Sequence, residues 1–253
     1  MTQLIETKQL SLQYETSKGH KQTILQNIHL SIKKGEFVTI MGPSGCGKTS
    51  LLYQLSGIEN CTKGDVTYKG QSLSALNDKQ LTALRLTQMG FVFQQSHLLK
   101  NLTLFDNIIA ASYLAKSDTR KNINKRARML MEQLDIMHVA DHYITQVSGG
   151  QLQRASICRA LMNQPEILFG DEPTGALNSS ATSEVMNIFS QIHSAGTTLL
   201  LVTHDPNVAL QSERILFMRD GELIEDLSLG RNDPSIAAER EIKLNDWLKK
   251  LGF

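Results

Sequence analysis

Residues 42–49 read GPSGCGKT, a glycine-rich run of the form G-x-x-x-x-G-K-[ST]. Before it stands EFVTIM, which alternates and branches like a strand, and after it SLLYQLSG, which has the composition of a helix. A strand, such a loop and a helix in that order make a phosphate cradle: loop and helix-terminal N–H groups point at the anion, and the helix dipole favours negative charge. Lys48 supplies a point charge to the outer phosphates and Thr49 offers its hydroxyl to magnesium. A purely structural glycine turn is the alternative, and the flanking strand and helix argue against it.

A second stretch calls for a cation. Residues 167–178 read ILFGDEPTGALN, an apolar strand running straight into two adjacent carboxylates. Unpaired charge at a buried strand end is disfavoured unless a cation or proton neutralises it. If the phosphate loop brings magnesium, Asp171 holds that ion through its water shell and Glu172 polarises the attacking water. A helix-capping acid pair is the alternative. The two stretches together point to a P-loop nucleoside triphosphatase.

The rest of the composition narrows the partners. A chain of 253 residues with 41% apolar content can bury a sizeable core. Its formal net charge is +1, with 26 Lys and Arg against 25 Asp and Glu, so no global field calls for nucleic acid or an anionic membrane. Apolar runs such as TTLLLV fall far short of the roughly 18 residues a spanning helix needs, and the start MTQLIETKQL lacks a basic region followed by an apolar one. The expected place is the cytoplasm. Cys46, Cys61 and Cys158 form neither a metal pattern nor a disulfide framework. Cys46 lies inside the phosphate loop, where positive surroundings favour a reactive thiolate if the thiol is exposed; filling space in a tight loop is the other reading.

Periodicity sets out the order of elements. LIETKQLSLQY, ILQNIHLSI and EFVTIM read as strands, KGDVTYKG as a short strand and its turn, and Asn77 or Asp78 caps a helix to about Thr87. GFVFQ is a further strand. From about Ser96 to Met162 the patterns are helical, after which strand and helix alternate and Asp220-Gly221 marks a hairpin within RILFMRDGELIED. In the tail Asn232 or Asp233 caps a helix with Pro234 in its first turn and Leu244, Trp247, Leu248 and Leu251 on one stripe, which reads as a face packed on the chain's own core.

Residues 147–161, VSGGQLQRASICRAL, place two glycines before a helix, a second anion site that one nucleotide does not need. With these residues the chain resembles the ABC transporter ATPase family over nearly its whole length. In that resemblance Ser148, Gly149, Gly150 and Gln151 look like the signature motif that reaches the γ-phosphate across a head-to-tail dimer. Gln94 matches the Q-loop glutamine, a contact to magnesium and water that senses the permease, and His204 matches the switch histidine. Tyr14 matches the aromatic that stacks on adenine, and Gly42, Pro43, Ser44, Gly45, Cys46, Gly47, Lys48, Thr49 and Ser50 match the nucleotide loop. Asn178 stands where the family's D-loop carries aspartate, Val147 where leucine is usual, and no proline lies near Ile144.

The resemblance implies an α/β fold: a P-loop NTPase (RecA-like) core with an N-terminal antiparallel β-subdomain and an inserted α-helical subdomain. The ATPase domain then spans 1–230, with a core of about 1–95 and 163–230 and a helical subdomain of about 96–162, followed by a helical tail at 231–253. ATP and Mg2+ are the implied cofactors. The implied activity is hydrolysis of ATP to ADP and phosphate, with Glu172, His204, Gln94 and Lys48 catalytic and Thr49, Gln94 and Asp171 at the metal. GFVFQ, SGGQLQRASICRAL, DEPTGALN and VTHDP look most like the lipoprotein-release, macrolide-export and antimicrobial-peptide group. That likeness implies a separate membrane permease, a second copy or paralogous ATPase subunit, and a peripheral position on the cytoplasmic face. A soluble cassette acting on nucleic acid or ribosomes is the alternative; its best support is the basic run RKNINKRAR, which on a helix is more often a solvated face. An inactive cassette is a third reading, resting on Asn178 alone.

Overall fold

The computed structural model describes residues 2–15, 19–116 and 118–253. Residue 1, where the expected ATPase domain begins, lies outside them. In chain order the elements are β1 (Gln3–Glu15), β2 (Lys21–Lys33), β3 (Phe37–Met41), α1 (Lys48–Leu55), β4 (Lys63–Tyr68), β5 (Gln71–Ser72), α2 (Asp78–Gln88), β6 (Met89–Phe93), α3 (Leu104–Ala115) and α4 (Arg120–Gln133). There follow α5 (Gly149–Leu161), β7 (Ile167–Asp171), α6 (Ser179–Ser194), β8 (Thr198–Val202), α7 (Pro206–Ala209), β9 (Arg214–Arg219), β10 (Glu222–Ser228) and α8 (Ala237–Lys250). The chain divides into two compact units, one running to Leu81 and resuming over Thr198–Phe253, the other Thr82–Thr197.

The first unit holds an antiparallel sheet in the order β2-β1-β4-β5 and the strands β10-β9-β3-β8. All five residues of β3 and all five of β8 are buried, as parallel strands covered on both faces must be. The register Phe37↔Leu199 to Ile40↔Val202 sends both strands in the same direction. The β9–β10 hairpin turns at Asp220 (φ 49°) and Gly221 (φ 83°), the two positive-φ positions of a tight primed turn. A Cβ at Gly221 would stand 2.5 Å from the Ile24 carbonyl oxygen, so the turn is fixed to glycine by contact as well as by conformation.

Helix α8 belongs to this unit. Leu244, Trp247, Leu248 and Leu251, one stripe at helical spacing, are buried with Met41, Ala209, Ile215, Phe217, Leu227 and Leu229. The indole N–H of Trp247 donates to Glu225 Oε2 at 2.6 Å, which satisfies its one polar atom. Asp233 accepts from the Ser235 amide at 2.9 Å and sets Pro234 at the start of the lead-in turn. At the other chain segment of the unit, Asn77 and Gln80 bond each other's backbone amides at 3.0 Å, a reciprocal cap on α2.

The second unit is built on a parallel pair, β6 and β7, in register from Met89↔Ile167 to Phe93↔Asp171. Phe91 stacks on Phe169 at 5.4 Å between centroids. The helices α3, α4 and α5 fill the span expected to lack strands; within it the described residues show one isolated bridge, Thr103↔Tyr143. Thr103 and Thr119 cap α3 and α4. The basic run on α4 is largely used in place: Arg126 donates to the Leu161 and Met162 carbonyls at 2.9 Å, ending α5, and Arg128 lies 4.9 Å over the Phe105 ring. Lys121 and Lys125 are exposed on the solvated face. Among the described residues no helix is long and apolar enough to cross a membrane.

Candidate functional site

The candidate residues fall into two groups, one in each unit. In the first, β3 ends at Met41 and the chain enters Gly42 at φ 149°, Gly45 at φ 79° and Gly47 at φ 101°, conformations that side chains rarely adopt. A Cβ at Gly42 would meet the Met218 carbonyl oxygen at 2.1 Å, and one at Gly47 the Ile24 carbonyl oxygen at 2.9 Å. The loop is thus held close against its neighbours and then opens α1. Gly47 caps that helix without a side-chain acceptor, and the first-turn amides of an α-helix have no acceptor within it, so they suit a bound anion. The Lys48 ammonium, buried on its stem, donates to the carbonyls of Gly42 and Pro43 at 2.8 and 2.9 Å. Pro43, Ser44 and Gly45 form the exposed crest, and Thr49 and Ser50 are half-buried beyond it.

Cys46 is only 4% exposed, and its burial pushes the thiol above its ordinary value, outweighing the opposing Lys48 charge. The reactive-thiolate reading of Cys46 is therefore corrected: the sulfur, 3.0 Å from where a Gly42 Cβ would stand, fills the underside of the loop. Cys158 is likewise buried, its thiol pushed up to about 12 by desolvation, and all three cysteines are free.

Tyr14 is 43% exposed near the end of β1. Its hydroxyl donates to Glu59 Oε1 at 2.6 Å; that bond raises its pKa, while a hydrogen bond with the Ser50 side chain acts in the opposite sense. The phenol therefore stands beside the first turn of α1, its ring accessible. His204 follows β8. Because β3 and β8 are parallel neighbours, with Ile40 opposite Val202, Gly42 and His204 both follow the carboxyl ends of their strands, where α/β folds bind ligands. The Thr203 amide donates to Ile40 at 3.1 Å, and the Asp205 amide to Thr203 Oγ1 at 3.0 Å, so the turn carrying the exposed His204 is held on both sides.

In the second unit the register Phe93↔Asp171 puts Gln94 and Glu172 together at one strand end. Glu172 takes φ 47°, a left-handed conformation unusual for a side chain with a long stem. The Gly175 amide closes the turn onto the Glu172 carbonyl at 3.0 Å, and a Cβ at Gly175 would stand 2.9 Å from Gln94 Nε2. Ser148 caps α5 in a reciprocal box: its hydroxyl accepts from the Gln151 amide at 3.3 Å and its own amide donates to Gln151 Oε1 at 2.9 Å. Gly149 and Gly150 face the following segment, with built Cβ positions 3.8 Å from Leu177 Cδ2 and 3.5 Å from Ala181 Cβ.

Two roles here were not read from the sequence. Gln153, 3% exposed on α5, donates through Nε2 to the Phe93 carbonyl at 3.1 Å and the Pro173 carbonyl at 2.6 Å. It ties the ends of β6 and β7 together, directly beside Gln94 and Glu172. The available signal was a polar residue in the buried stripe of α5, one turn before Ile157. Asn178 is the N-cap of α6, accepting from the Ala181 amide at 2.9 Å. Aspartate caps as well as asparagine, so the departure from the family residue leaves this turn intact. Asn178→Asp is expected to shift unfolding stability by a few tenths of a kcal/mol, and Asn178→Ala to cost about 1 kcal/mol, read by urea denaturation.

The ABC transporter family model matches residues 25–175. An uncharacterized ABC transporter ATP-binding protein of Methanocaldococcus jannaschii is 42% identical over 223 residues, covering 88% of this chain and 98% of that protein. The bacitracin export ATP-binding protein BceA of Halalkalibacterium halodurans is 37% identical over 228 residues, 90% of this chain and 89% of that one. The macrolide export ATP-binding/permease protein MacB of Shigella flexneri is 40% identical over 237 residues, and the chain covers 35% of its length. Among solved structures, the ATP-binding cassette MJ0796, a dimer in a post-hydrolysis state bound to ADP and Pi, superposes with a TM-score of 0.84 at 35% identity, covering 91% of this chain and all of that one.

The chain belongs to the ABC transporter family. Its fold is the α/β P-loop cassette of that family, and it is an ATP-binding and ATP-hydrolysing subunit of a transport system. The relatives are transport proteins, which favours that reading over a soluble cassette acting on nucleic acid or ribosomes.

Proposed function

We propose that this chain is the ATPase subunit of an exporter for peptides, lipoproteins or hydrophobic drugs, working as a head-to-tail pair on the cytoplasmic side of a separate permease. The observation that carries the reading is the match to BceA, an ATP-binding protein named for bacitracin export, along 89% of its length. In this proposal α3, α4 and α5 lie in the inserted helical subdomain of about 96–162, and 231–253 is the tail of an ATPase domain spanning 1–230.

Lys48 and the backbone N–H groups of Ser44 to Ser50 hold the nucleotide phosphates, beside Gly42 and Pro43 of the same loop, and Tyr14 offers its exposed ring to adenine. Glu172 takes the proton of the attacking water, Gln94 orients that water, and His204 contacts the γ-phosphate. Ser148, Gly149, Gly150 and Gln151, with Asn178, serve the nucleotide of the opposite subunit. Thr49, Gln94 and Asp171 bring a hydroxyl, an amide carbonyl and a carboxylate, the hard oxygen donors that Mg2+ takes together with phosphates, so the donor set fits that ion. When bound it neutralises charge building on the phosphates.

The sandwich is tested by Ser148→Arg. This variant is expected to keep monomer nucleotide affinity within about twofold yet lose turnover, because the bulk of the longer side chain at position 148 prevents the two subunits from closing around the nucleotide. Hydrolysis proportional to protein concentration, without cooperativity, would count against the pair. For the transport role, a membrane protein should copurify in fixed ratio from detergent-solubilised cells; nucleic acid in its place would turn the reading to the alternative.

A further inference from the structure

We propose that the C-terminal helix α8 positions the His204 turn through Arg240, so that the tail sets turnover without touching nucleotide. The proposal rests on the role given above to His204. Arg240 is 3% exposed, and the two terminal nitrogens of its guanidinium bond main-chain oxygens. Nη1 donates to Leu229, Gly230 and Arg231 at 2.8, 2.7 and 3.0 Å, and Nη2 donates to Leu210 and Ser212 at 2.9 and 2.8 Å. Burying a charged fork in this way is costly; the two terminal nitrogens offset that cost through five converging carbonyls, while the Nε–H is buried without a partner among the described residues.

Two of those carbonyls fix the link to the site. Leu210 and Ser212 close the far end of α7, a helix of only four residues. A single turn cannot hold itself, since nucleation costs more than one or two hydrogen bonds return. Its near end is capped by Asp205, which accepts from the Asn207 amide at 2.8 Å and follows His204 directly. Its far end is held by Arg240, with Asn232 Nδ2 donating to Gln211 Oε1 at 2.7 Å beside it. Ala209 of α7 is buried against the α8 stripe of Leu244, Trp247 and Leu248, in one cluster with Met41, the last residue before the phosphate loop. The helix thus braces the short α7 whose other end carries His204, and Arg240 is a positioning residue.

The test is a cycle of four full-length proteins: wild type, Arg240→Gln, His204→Ala and the double variant, each measured for kcat, KM for Mg-ATP, nucleotide Kd and melting temperature. Arg240→Gln is expected to lower kcat by about ten- to a hundredfold, as loss of alignment does, with KM and Kd within about twofold. In the His204→Ala background the same substitution should change kcat less than about twofold, because the group it positions is gone. An equal fold-loss in both backgrounds, or a rise in KM at constant kcat, overturns the tail proposal alone. A His204→Ala protein that turns over normally overturns both this proposal and the role of His204. Should Arg240→Gln fail to fold, Arg240→Lys carries the same comparison: the ammonium keeps charge and stem but has three donors for five acceptors, and a loss independent of His204 is again the overturning result.

Discussion

Glu172→Gln is expected to lower ATP turnover by about 10²–10⁴-fold, the contribution of a positioned general base, while ATP affinity is retained. Glutamine keeps the size and stem of glutamate and removes only its basicity. The turn around it does not depend on the carboxylate: the Gly175 amide bonds the Glu172 backbone carbonyl, and Gln153 holds the flanking Phe93 and Pro173 carbonyls from α5. Structure and nucleotide contacts should therefore survive the change, and the protein should collect as an ATP-bound dimer that cannot reset. Single-turnover kinetics, nucleotide titration and size-exclusion chromatography with Mg-ATP check the three parts. Near-wild-type turnover would remove Glu172 from the chemistry.

Lys48→Ala should fail at the earlier step. Losing a charge-assisted contact to phosphate is worth about 1.5–3 kcal/mol, or roughly 10–150-fold in affinity. A local effect adds to this. The ammonium also holds the Gly42 and Pro43 carbonyls, so its removal loosens the loop whose shape presents the amides. The expected signature is a raised nucleotide Kd together with a small fall in melting temperature of the nucleotide-free protein. Unchanged Kd would contradict the phosphate cradle. The two variants are thereby separable, since one binds without turning over and the other scarcely binds.

Short-range features were the most legible. The GPSGCGKT run between strand and helix, the Asp220-Gly221 hairpin and a cap at Asn77 or Asp78 each follow from conformational demands on a few adjacent residues, and the structure has the loop glycines at positive φ, the primed turn and a reciprocal cap at Asn77. Features that join distant segments were not legible. Arg240 reads as one more charge on an amphipathic helix; its five acceptors come from residues 210–231 and converge only in the fold. Gln153 reads as part of a signature helix, and its two acceptors lie 60 and 20 residues earlier and later in the chain. Cys46 shows the same limit from the other side, because local charge argued for reactivity and burial, a tertiary property, overrode it.

The left-handed backbone at Glu172 sets stability and activity against each other at a single codon. A residue with a Cβ pays about 1–2 kcal/mol to hold that conformation, and glycine does not. If Glu172 is the general base proposed above, selection for turnover keeps glutamate and the rest of the fold absorbs the strain. A lineage relieved of hydrolysis would gain a firmer protein by replacing Glu172 with glycine. On the role proposed for Glu172, the identity of residue 172 would accordingly record whether a descendant of this cassette still turns over ATP.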